Sequence, residues 1–201
     1  MEIMRGKQSL LLATAAFMEH LTGYDTLCLD IGTGDGRYVR HCAGLHPNHF
    51  VIGLDAAREN LVEVSRRAPA NTLFVIANAQ ALPPELDGLA DQVTINFPWG
   101  SLLEGLLTDD AALLAGLGRV MRPNARLEIR LNGGALAEAG WKLEAGADRV
   151  RAVLTANGFK LSPPVTLTAA DLKTFPTTWA KRLAFGRDPR ALYLRGGRRE
   201  Q

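Results

Sequence analysis

The sequence predicts an α/β fold in which a mostly parallel β-sheet carries helices on both faces. Two observations support this prediction. Short apolar runs that favour β-strands alternate along the chain with segments whose apolar residues recur at helical spacing. One of these runs, at residues 26–31, leads directly into a glycine-rich turn that is followed by a helical segment. Because such alternation is typical of parallel strands connected by helices, it predicts a sheet covered on both sides.

The chain is expected to form one domain, residues 1–201. Of its 201 residues, 47% are hydrophobic and 22% are charged, a balance typical of a soluble globular protein of ordinary size. The sequence shows no internal repeat and no domain linker. The predicted strands cover residues 26–31, 49–54, 73–77, 92–96, 126–131, 160–167 and 191–195, and the predicted helices cover residues 38–43, 57–67, 109–121 and 147–157.

Three parts of the chain lie outside this regular pattern. Residues 1–25 are expected to be an N-terminal extension, and apolar residues at helical spacing between positions 10 and 21 predict an amphipathic helix there. A signal peptide is the alternative interpretation of residues 10–18, but the apolar run is short. Residues 132–145, rich in glycine and alanine, are expected to be an irregular insertion, and residues 196–201 a basic tail.

Residues 30–37, Asp-Ile-Gly-Thr-Gly-Asp-Gly-Arg, contain a glycine turn (residues 32–36) between the first predicted strand and the first predicted helix. This arrangement is typical of a nucleotide-binding site, because glycines let the backbone approach a ligand closely. In the dinucleotide pattern G-x-G-x-x-G/A the last position must be small, and here it falls on Arg37. The pattern D-x-G-x-G-x-G instead resembles motif I of Rossmann-like class I S-adenosylmethionine (SAM)-dependent methyltransferases, in which the acidic residue, here Asp30, lies near the methionine ammonium. A NAD(P)-binding oxidoreductase is the alternative enzyme class.

Polar residues also follow the next two predicted strands. In parallel sheets, ligands bind at the C-terminal ends of the strands, where these residues lie. Asp55 follows the glycines by the interval at which an acidic residue binds ribose hydroxyls, although an acid at a strand end can also cap a helix. Residues 78–80, Asn-Ala-Gln, offer amide groups and a backbone N–H to an adenine edge.

Two tryptophans in distinctive settings indicate a site for a planar acceptor. Residues 96–99, Asn-Phe-Pro-Trp, resemble the (N/D)-P-P-(Y/W) box of amino-group methyltransferases, with phenylalanine in place of the first proline. Core packing is the alternative explanation for either Trp99 or Trp179. At Trp179 the basic residues that follow it argue against burial, because their charges favour water or phosphate. These residues are Lys181, Arg182 and Arg187.

The charge distribution suggests a phosphate-rich partner. Residues 171–201 contain eight Lys and Arg against three Asp and Glu, whereas the whole chain has a net charge of only +2. A basic end on a nearly neutral domain is typical of binding to nucleic acid.

The cysteines and histidines predict neither a disulfide nor a metal site. The two cysteines and four histidines have no ligand spacing, so we predict no metal and buried thiols in a reducing, cytoplasmic compartment. No apolar run is long enough to span a membrane, so no membrane association is expected.

Several blocks together resemble the aminoglycoside-resistance 16S rRNA (adenine(1408)-N(1))-methyltransferases. They are residues 30–37, Phe-Pro-Trp-Gly at 97–100 and Trp-Ala-Lys-Arg-Leu-Ala-Phe-Gly-Arg at 179–187. The segments at 53–61 and 74–83 resemble the same family. The resemblance extends from about residue 26 to residue 195, and the block at 179–187 is its most specific part.

The resemblance implies a seven-stranded SAM-binding fold that methylates N1 of adenine 1408 in the 16S rRNA of the assembled 30S subunit. It implies that a monomer holds the flipped adenine between Trp99 and Trp179. Basic residues that grip rRNA phosphates would be Arg66, Arg67, Lys181, Arg182 and Arg187. The predicted cofactor-binding residues are Asp30, Gly32, Thr33, Gly34, Asp55, Ala56, Ala79, Gln80, Asn96, Phe97, Pro98 and Ser101.

Other functions on this fold stay open from the residues themselves. A tRNA guanine-N7 or small-molecule methyltransferase would share the fold, and the block at 179–187 is the feature that discriminates against it. A non-catalytic RNA-binding protein would not need the intact Asp30, Gly32, Gly34 and Asp55.

Overall fold

The computed structural model of the chain describes residues 1–185 and 190–198. Within them the strands are β1 (Glu2–Arg5), β2 (Gln8–Leu11), β3 (Thr26–Ile31), β4 (His49–Asp55), β5 (Thr72–Ile76), β6 (Ala90–Asn96), β7 (Met121–Asn132), β8 (Phe159–Leu161), β9 (Val165–Leu167) and β10 (Ala191–Arg198). The helices are α1 (Thr14–His20), α2 (Arg37–Leu45), α3 (Arg58–Arg66), α4 (Gly100–Thr108), α5 (Ala111–Val120), α6 (Gly133–Glu138), α7 (Leu143–Ala156), α8 (Ala169–Thr174) and α9 (Thr178–Ala184). Short 3-10 turns cover Ala79–Ala81 and Pro84–Leu86.

The described strands join one sheet in the order β2-β1-β5-β4-β3-β6-β7-β10-β8, with β9 beside β10. The strands from β5 to β7 in this order are parallel, and β10 is antiparallel to its neighbours. Side chains alternate between the two faces, so that Val51 belongs to a core cluster with residues of α2 and α3, whereas Phe50 and Ile52 belong to the larger cluster on the opposite face, which also includes residues of α4, α5 and α7. The predicted α/β class, with a parallel central sheet and helices on both faces, is confirmed. The described sheet has ten strands and not seven, because β1 and β2 extend it and residues 159–167 form two strands, β8 and β9.

The N-terminal residues differ from the predicted amphipathic helix. Residues 2–11 form the hairpin β1–β2, which extends the sheet beyond β5, and α1 begins only at Thr14. Strand β1 buries Ile3 and Met4, whereas Phe17 is the buried residue of α1. Residues 10 and 11 belong to β2, whose pairing with β1 decides in favour of a strand, whereas residues 14–20 do form a helix.

Residues 132–145 are not irregular, as the sequence suggested, but contain α6 and the start of α7. The side chain of Asn132 is buried and caps α6 by accepting a hydrogen bond from the N–H of Ala135 at 2.7 Å. Gly146 lets α6 and α7 approach, because a Cβ there would lie 2.5 Å from a Leu136 methyl. The glycines after Asn132 therefore belong to a capped helix and not to a loop.

The expected basic tail begins later than residue 196. Residues 196–198 are the end of β10, where Gly196 and Gly197 pair with β7 and β8. The remaining residues, 199–201, lie outside the described part of the chain.

Three helices that the sequence did not predict surround the C-terminal edge of the parallel strands. Helix α4 starts directly after the Phe-Pro-Trp block, and α8 and α9 lie within residues 168–185. A capping box between Thr168 and Asp171 starts α8, and the Thr177 side chain starts α9 by accepting from the N–H of Ala180 at 3.0 Å. No helix among the described residues combines the length and apolar character that crossing a membrane requires.

Candidate active site

The C-terminal ends of β3, β4, β5 and β6 border a cavity of about 550 Å³. This is the edge at which open parallel sheets bind their ligands. The cavity brings together most of the predicted cofactor-binding residues and both predicted tryptophans. Its lining includes Asp30, Gly32, Thr33, Gly34, Asp55, Ala56, Ala79, Asn96, Phe97, Pro98, Trp99, Ser101, Trp179 and Arg182.

The glycine turn is attached to the end of β4 by its backbone. The N–H of Gly32 donates to the carbonyl of Leu54 at 2.8 Å, and the N–H of Gly34 donates to Asp55 Oδ2 at 2.7 Å. Gly32 has a φ of +73°, and a Cβ there would lie 2.7 Å from a Leu102 methyl. At Gly34, by contrast, no described atom lies within 4 Å of the position of a Cβ. The turn is therefore tightly packed at Gly32 and leaves space for a ligand at Gly34.

Asp55 contacts both the glycine turn and the residues that lead into α3. Its Oδ2 accepts the N–H of Gly34, and its Oδ1 accepts the N–H of Ala57 at 2.8 Å and the amide of Asn60 at 3.3 Å. The contact with Ala57 precedes α3 and resembles a helix cap, whereas the contact with Gly34 fixes the glycine turn. Because a carboxylate has about four acceptor positions, this geometry leaves room for roughly one further donor, such as a ribose hydroxyl.

Asp30 is a buried carboxylate at the inner end of the cavity, with 2% of its surface exposed. Its Oδ1 accepts hydrogen bonds from Thr94 Oγ1 at 2.6 Å and from Asn96 Nδ2 at 2.9 Å. Burial raises the pKa of Asp30 to about 6, although these hydrogen bonds and the nearby Arg130 guanidinium oppose the rise. A carboxylate whose ionisation is unfavourable gains from a neighbouring cation, so this end of the cavity favours a positively charged ligand group.

The acceptor turn (residues 96–100) changes the chain direction between β6 and α4. Phe97 has a φ of +54°, a left-handed conformation that costs a side-chain-bearing residue about 1–2 kcal/mol. Its N–H donates to the carbonyl of Arg130 at 2.7 Å, and its ring is buried with Leu172 and Ala180. Trp99, two residues further on, then lines the cavity. Phe97 therefore anchors the turn, and Trp99 is the aromatic side chain available to an acceptor.

Trp99 and Trp179 form a tryptophan pair at the cavity. Their ring centroids are 5.0 Å apart and the planes are inclined by 29°, so the rings stack on each other. Trp179 is 40% exposed, which excludes the core-packing explanation for this residue. The Arg182 guanidinium lies 5.2 Å from the centroid of the Trp179 ring. The pair thus presents an aromatic surface, and the cation of Arg182 lies beside it on the side that faces solvent.

Two buried polar atoms in the cavity lack a hydrogen-bond partner among the described residues. They are the hydroxyl oxygen of Thr33 and the indole nitrogen of Trp99. Buried polar groups in folded proteins are nearly always paired. Both atoms are covered in this conformation, so a ligand would reach them only after the side chains that cover them move.

The C-terminal helical segment (residues 168–185) packs beside the glycine turn and carries Trp179. The Thr178 hydroxyl donates to a carboxylate oxygen of Asp35, and the ring of Phe175 stacks on Tyr38 with centroids 5.3 Å apart. Thr178 and Asp35 line the cavity but were missed by the sequence analysis. No local signal marks them, because residues 143 positions apart in the chain make this contact.

Gln80 was predicted to bind the cofactor, and the structure corrects this prediction. Its side-chain amide donates to Asp110 Oδ2 at 3.0 Å, next to the start of α5, and Gln80 is not among the residues that line the cavity. Asp110 also caps α5 by accepting from the N–H of Leu113 at 2.9 Å, so Gln80 supports a helix cap. Asn78 lines the cavity in its place.

The predicted RNA-binding residues occupy two separate places. Lys181 and Arg182 are exposed on α9, beside the tryptophan pair. Arg66 and Arg67 are exposed at the C-terminal end of α3, roughly 14 Å along that helix from the cavity edge. Arg66 also forms an ion pair with Glu63 at 2.8 Å. The fifth predicted residue, Arg187, lies outside the described part of the chain.

The cysteines show no features of a catalytic nucleophile. Cys28 and Cys42 are free thiols, and burial raises their pKa values to about 12 and about 11. Neutral thiols are poor nucleophiles and poor metal ligands. Over residues 1–185 and 190–198, no cluster of three or more His, Cys, Asp or Glu side chains is arranged to hold a metal ion.

Three features define the class of the protein: a glycine turn next to a buried acid, an acidic residue at the end of the next strand, and an aromatic acceptor turn. Together with the sheet order, they are the features of a Rossmann-like methyltransferase of the SAM-dependent class. A sequence model of the NpmA family, described as 16S rRNA (adenine(1408)-N(1))-methyltransferase, matches residues 2–198. The chain belongs to this family and is a methyltransferase, which confirms the predicted resemblance and enzyme class.

Individual relatives agree with this assignment. The 16S rRNA (adenine(1408)-N(1))-methyltransferase of Escherichia coli is 32% identical, with 93% of this chain and 94% of the relative covered. The enzyme of the same description from Streptoalloteichus hindustanus is 34% identical, with 91% and 92% covered. Among solved structures, the 16S rRNA methyltransferase KamB superposes with a TM-score of 0.89 at 29% identity over the full length of both chains. A tryptophan-to-alanine mutant of the Catenulisporales acidiphilia enzyme, crystallised with the cosubstrate SAM, gives a TM-score of 0.86 at 27% identity and covers 99% of this chain and 97% of that one.

Proposed function

We propose that this protein transfers a methyl group from SAM to N1 of adenine 1408 in the 16S rRNA of the assembled 30S subunit. We further propose that it acts as a monomer in the cytoplasm and that the modification confers aminoglycoside resistance. The observation that carries the proposal is the tryptophan pair, which joins an aromatic surface for a base to a cavity suited to SAM.

The residues of the cavity fit SAM, which supplies an activated methyl group on a positively charged sulfonium. A cavity of about 550 Å³ is in the usual range for a ligand of this size. Asp30 would hold the methionine ammonium, because its buried carboxylate gains from a nearby cation. Asp55 would bind the ribose through its remaining acceptor position, and Asn78 with the backbone of Ala79 would face the adenine. The unpartnered Thr33 hydroxyl and the space at Gly34 support this fit.

The chain needs to position the acceptor but not to deprotonate it. Adenine N1 carries a free lone pair, so no general base is required. The work of the protein is to extract the base from the rRNA, to align N1 with the methyl group and to exclude water. Aromatic side chains suit this task, because they provide surface without competing for the methyl group.

The tryptophan pair must open before it can hold a base. A base between two rings requires a separation of about 7 Å, twice the contact distance of aromatic carbon atoms. The observed centroid separation is 5.0 Å. Loss of the indole–indole stack costs about 0.5–1.5 kcal/mol, whereas each new base–indole stack returns about 1–3 kcal/mol. Exchanging one stack for two therefore offsets much of the few kcal/mol needed to flip the base.

The basic residues would supply docking affinity. Phosphate contacts dominate the affinity of proteins for nucleic acids and carry little sequence information. Lys181 and Arg182 lie where rRNA that delivers a base to the tryptophan pair would pass, and Arg66 with Arg67 would contact a second segment. The product adenine carries a positive charge and a blocked Watson–Crick edge. A cationic drug that pairs with this edge would then meet a clash and charge repulsion.

The direct test is to incubate the purified protein with SAM and isolated 30S subunits and to map the modified nucleotide by primer extension. We expect a strong stop at adenine 1408, because N1 methylation prevents base pairing with the primer. Trp179→Ala is the matched control and should give a much weaker stop at the same incubation time. Methyl transfer to tRNA in place of 30S subunits, or to the exocyclic amine as identified by mass spectrometry, would overturn the proposal.

A further inference from the structure

We propose that Arg130 is a positioning residue that connects the cofactor carboxylate Asp30 to the tryptophan pair, so that one side chain holds both halves of the active site. The inference rests on the function proposed above, because it assigns the two halves to cofactor and base. Arg130 lies near the end of β7 and is not among the residues that line the cavity.

On the cofactor side, Arg130 fixes the orientation of one amide. Its Nη1 donates to Asn96 Oδ1 at 2.9 Å, and Asn96 Nδ2 donates to Asp30 Oδ1 at 2.9 Å. The reversed amide would place its NH₂ against the guanidinium and its oxygen against the carboxylate, and both contacts are repulsive. Arg130 therefore ensures that Asn96 presents a donor to Asp30, which holds that carboxylate in place.

On the base side, Arg130 lies between two aromatic rings. Its guanidinium carbon is 4.5 Å from the centroid of Phe175 and 4.6 Å from that of Tyr193, both within the range of a cation–π contact. Phe175 ends α8 and precedes Thr177, the residue that caps α9. Since α9 begins with Trp179 in its first turn, fixing Phe175 fixes the start of the helix that carries the outer tryptophan.

The backbone of Arg130 reaches the inner tryptophan as well. Its carbonyl accepts the N–H of Phe97 at 2.7 Å, and Phe97 packs edge-on against Phe175 with centroids 5.7 Å apart. Phe97 in turn has the strained left-handed conformation that shapes the acceptor turn, which carries Trp99. The positions of both tryptophans therefore depend on residues that contact Arg130.

Lysine cannot perform this function. The Arg130 guanidinium uses one nitrogen for Asn96 and the other for Glu128, at 2.9 Å each, while its carbon lies over the rings of Phe175 and Tyr193. A lysine ammonium offers a point charge without a planar fork or stacking faces. The side chain of Arg130 is only 13% exposed, so water cannot readily replace these contacts.

The experiment compares Arg130→Lys and Arg130→Met with Arg126→Met, an exposed arginine on the same strand. SAM affinity is measured by calorimetry, the tryptophan stack by the exciton signal in circular dichroism, and folding by thermal melting. Trp179→Phe defines the zero of the exciton signal. We expect both Arg130 variants to lose most of this signal, to bind SAM about tenfold more weakly and to retain the cooperative melting transition. Arg126→Met should resemble the wild type in all three.

A pH series of SAM binding separates the effect of the Arg130 charge on Asp30 from the effect of the Arg130 side chain on the position of the tryptophans. Among the described residues, Arg130, Tyr38 and Cys42 interact electrostatically with Asp30, and burial raises the pKa values of the latter two so that both are neutral between pH 5 and 8. Asp35, Asp55, His46 and His49 line the cavities that Asp30 also lines. Loss of the guanidinium should raise the pKa of Asp30 further, so Arg130→Met should move the pH midpoint of SAM binding upward. Arg130→Lys keeps a cation and should keep the midpoint while still losing the exciton signal.

These readouts do not require methylation of 30S subunits, so they decide the role of Arg130 even if the proposed substrate is wrong. If Arg130→Met does not fold, Arg130→Lys alone decides the question by its SAM affinity and exciton signal. Wild-type SAM affinity together with a wild-type exciton signal in a folded Arg130→Lys protein would overturn the proposal.

Discussion

Trp99 and Trp179 stack directly on each other, with ring centroids 5.0 Å apart, although 80 positions separate them in the chain. In this arrangement each indole occupies the surface that a bound base would need. If the pair binds the acceptor base, as proposed above, binding must separate the two rings and exchange one stack for two. This exchange gives the first prediction.

Substitution of either tryptophan by alanine should impair methylation without impairing docking. Loss of one base–indole stack, worth about 1–3 kcal/mol, should slow methyl transfer to 30S subunits by roughly 5- to 150-fold. SAM and 30S affinities should change little, because phosphate contacts dominate docking. Phenylalanine keeps a π-face and should retain part of the activity. Transfer rates, SAM calorimetry and 30S binding assays check this pattern.

Thermal melting distinguishes this role from core packing. Trp179 is 40% exposed, so Trp179→Ala should lower the melting temperature by only a few degrees, mainly through loss of the stack with Trp99. A Trp179→Ala protein that is fully active, or inactive only because it unfolds, contradicts the aromatic clamp.

Asp55→Ala should weaken SAM binding by about ten- to a hundredfold, since charge-assisted hydrogen bonds are worth about 1.5–3 kcal/mol. It should also loosen the glycine turn, because the N–H of Gly34 loses its acceptor. Calorimetry with SAM and hydrogen exchange at Gly34 measure the two effects. Asp148→Ala, which removes an exposed acid on α7, is the control and should behave as the wild type. Unchanged SAM affinity in Asp55→Ala would mean that Asp55 caps α3 and does not bind SAM.

SAM binding should strengthen as the pH rises from 5 to 7. Burial raises the pKa of Asp30 from its ordinary value of 3.8 to about 6, so the carboxylate becomes ionised in this interval and can then bind a cation. Calorimetry across this range measures the midpoint. Asp30→Asn should bind SAM weakly at every pH, and a wild-type affinity that is flat between pH 5 and 7 would contradict the role of Asp30.

Stability without SAM should change in the opposite direction. Because the folded pKa of Asp30 exceeds the unfolded one, the folded state binds the extra proton between about pH 4 and 6. The stabilisation from this group is complete below pH 3.8 and is lost as the pH rises through 6. Its size is on the order of 3 kcal/mol. Denaturant titrations of wild type and Asp30→Asn should diverge over this interval, and parallel pH profiles would contradict the prediction.

Charge reversal at Lys181 or Arg67 should weaken 30S binding and reduce the slope of its salt dependence by about one for each lost phosphate contact. Arg66 should contribute less than Arg67, because Glu63 already neutralises it in part. For the same reason Glu63→Gln should strengthen binding. Filter binding at several salt concentrations measures these slopes, and Lys160→Glu, an exposed change on β8, is the control. Equal salt slopes for all variants would mean that these residues are ordinary solvated charges that do not contact phosphate.

The sequence by itself determined the features that depend on short stretches of chain. The glycine pattern after Asp30, the alternation of strands and helices, and the aromatic and basic blocks around Trp99 and Trp179 were sufficient for the fold class and the family. Such features are readable because apolar periodicity and glycine spacing report local burial and backbone geometry. Where a short stretch was ambiguous, as at residues 10–11 and after Asn132, the prediction from the local pattern was wrong.

Only the tertiary structure decided which polar side chains meet. The order of the sheet places β3 beside β6 and β6 beside β7, so that Asp30, Asn96 and Arg130 form one network from three distant segments. The same effect removed Gln80 from the cavity, because Asp110, 30 positions away, binds its amide. Periodicity carries no information about the partner of a side chain across the sheet, because that partner depends on strand order and register.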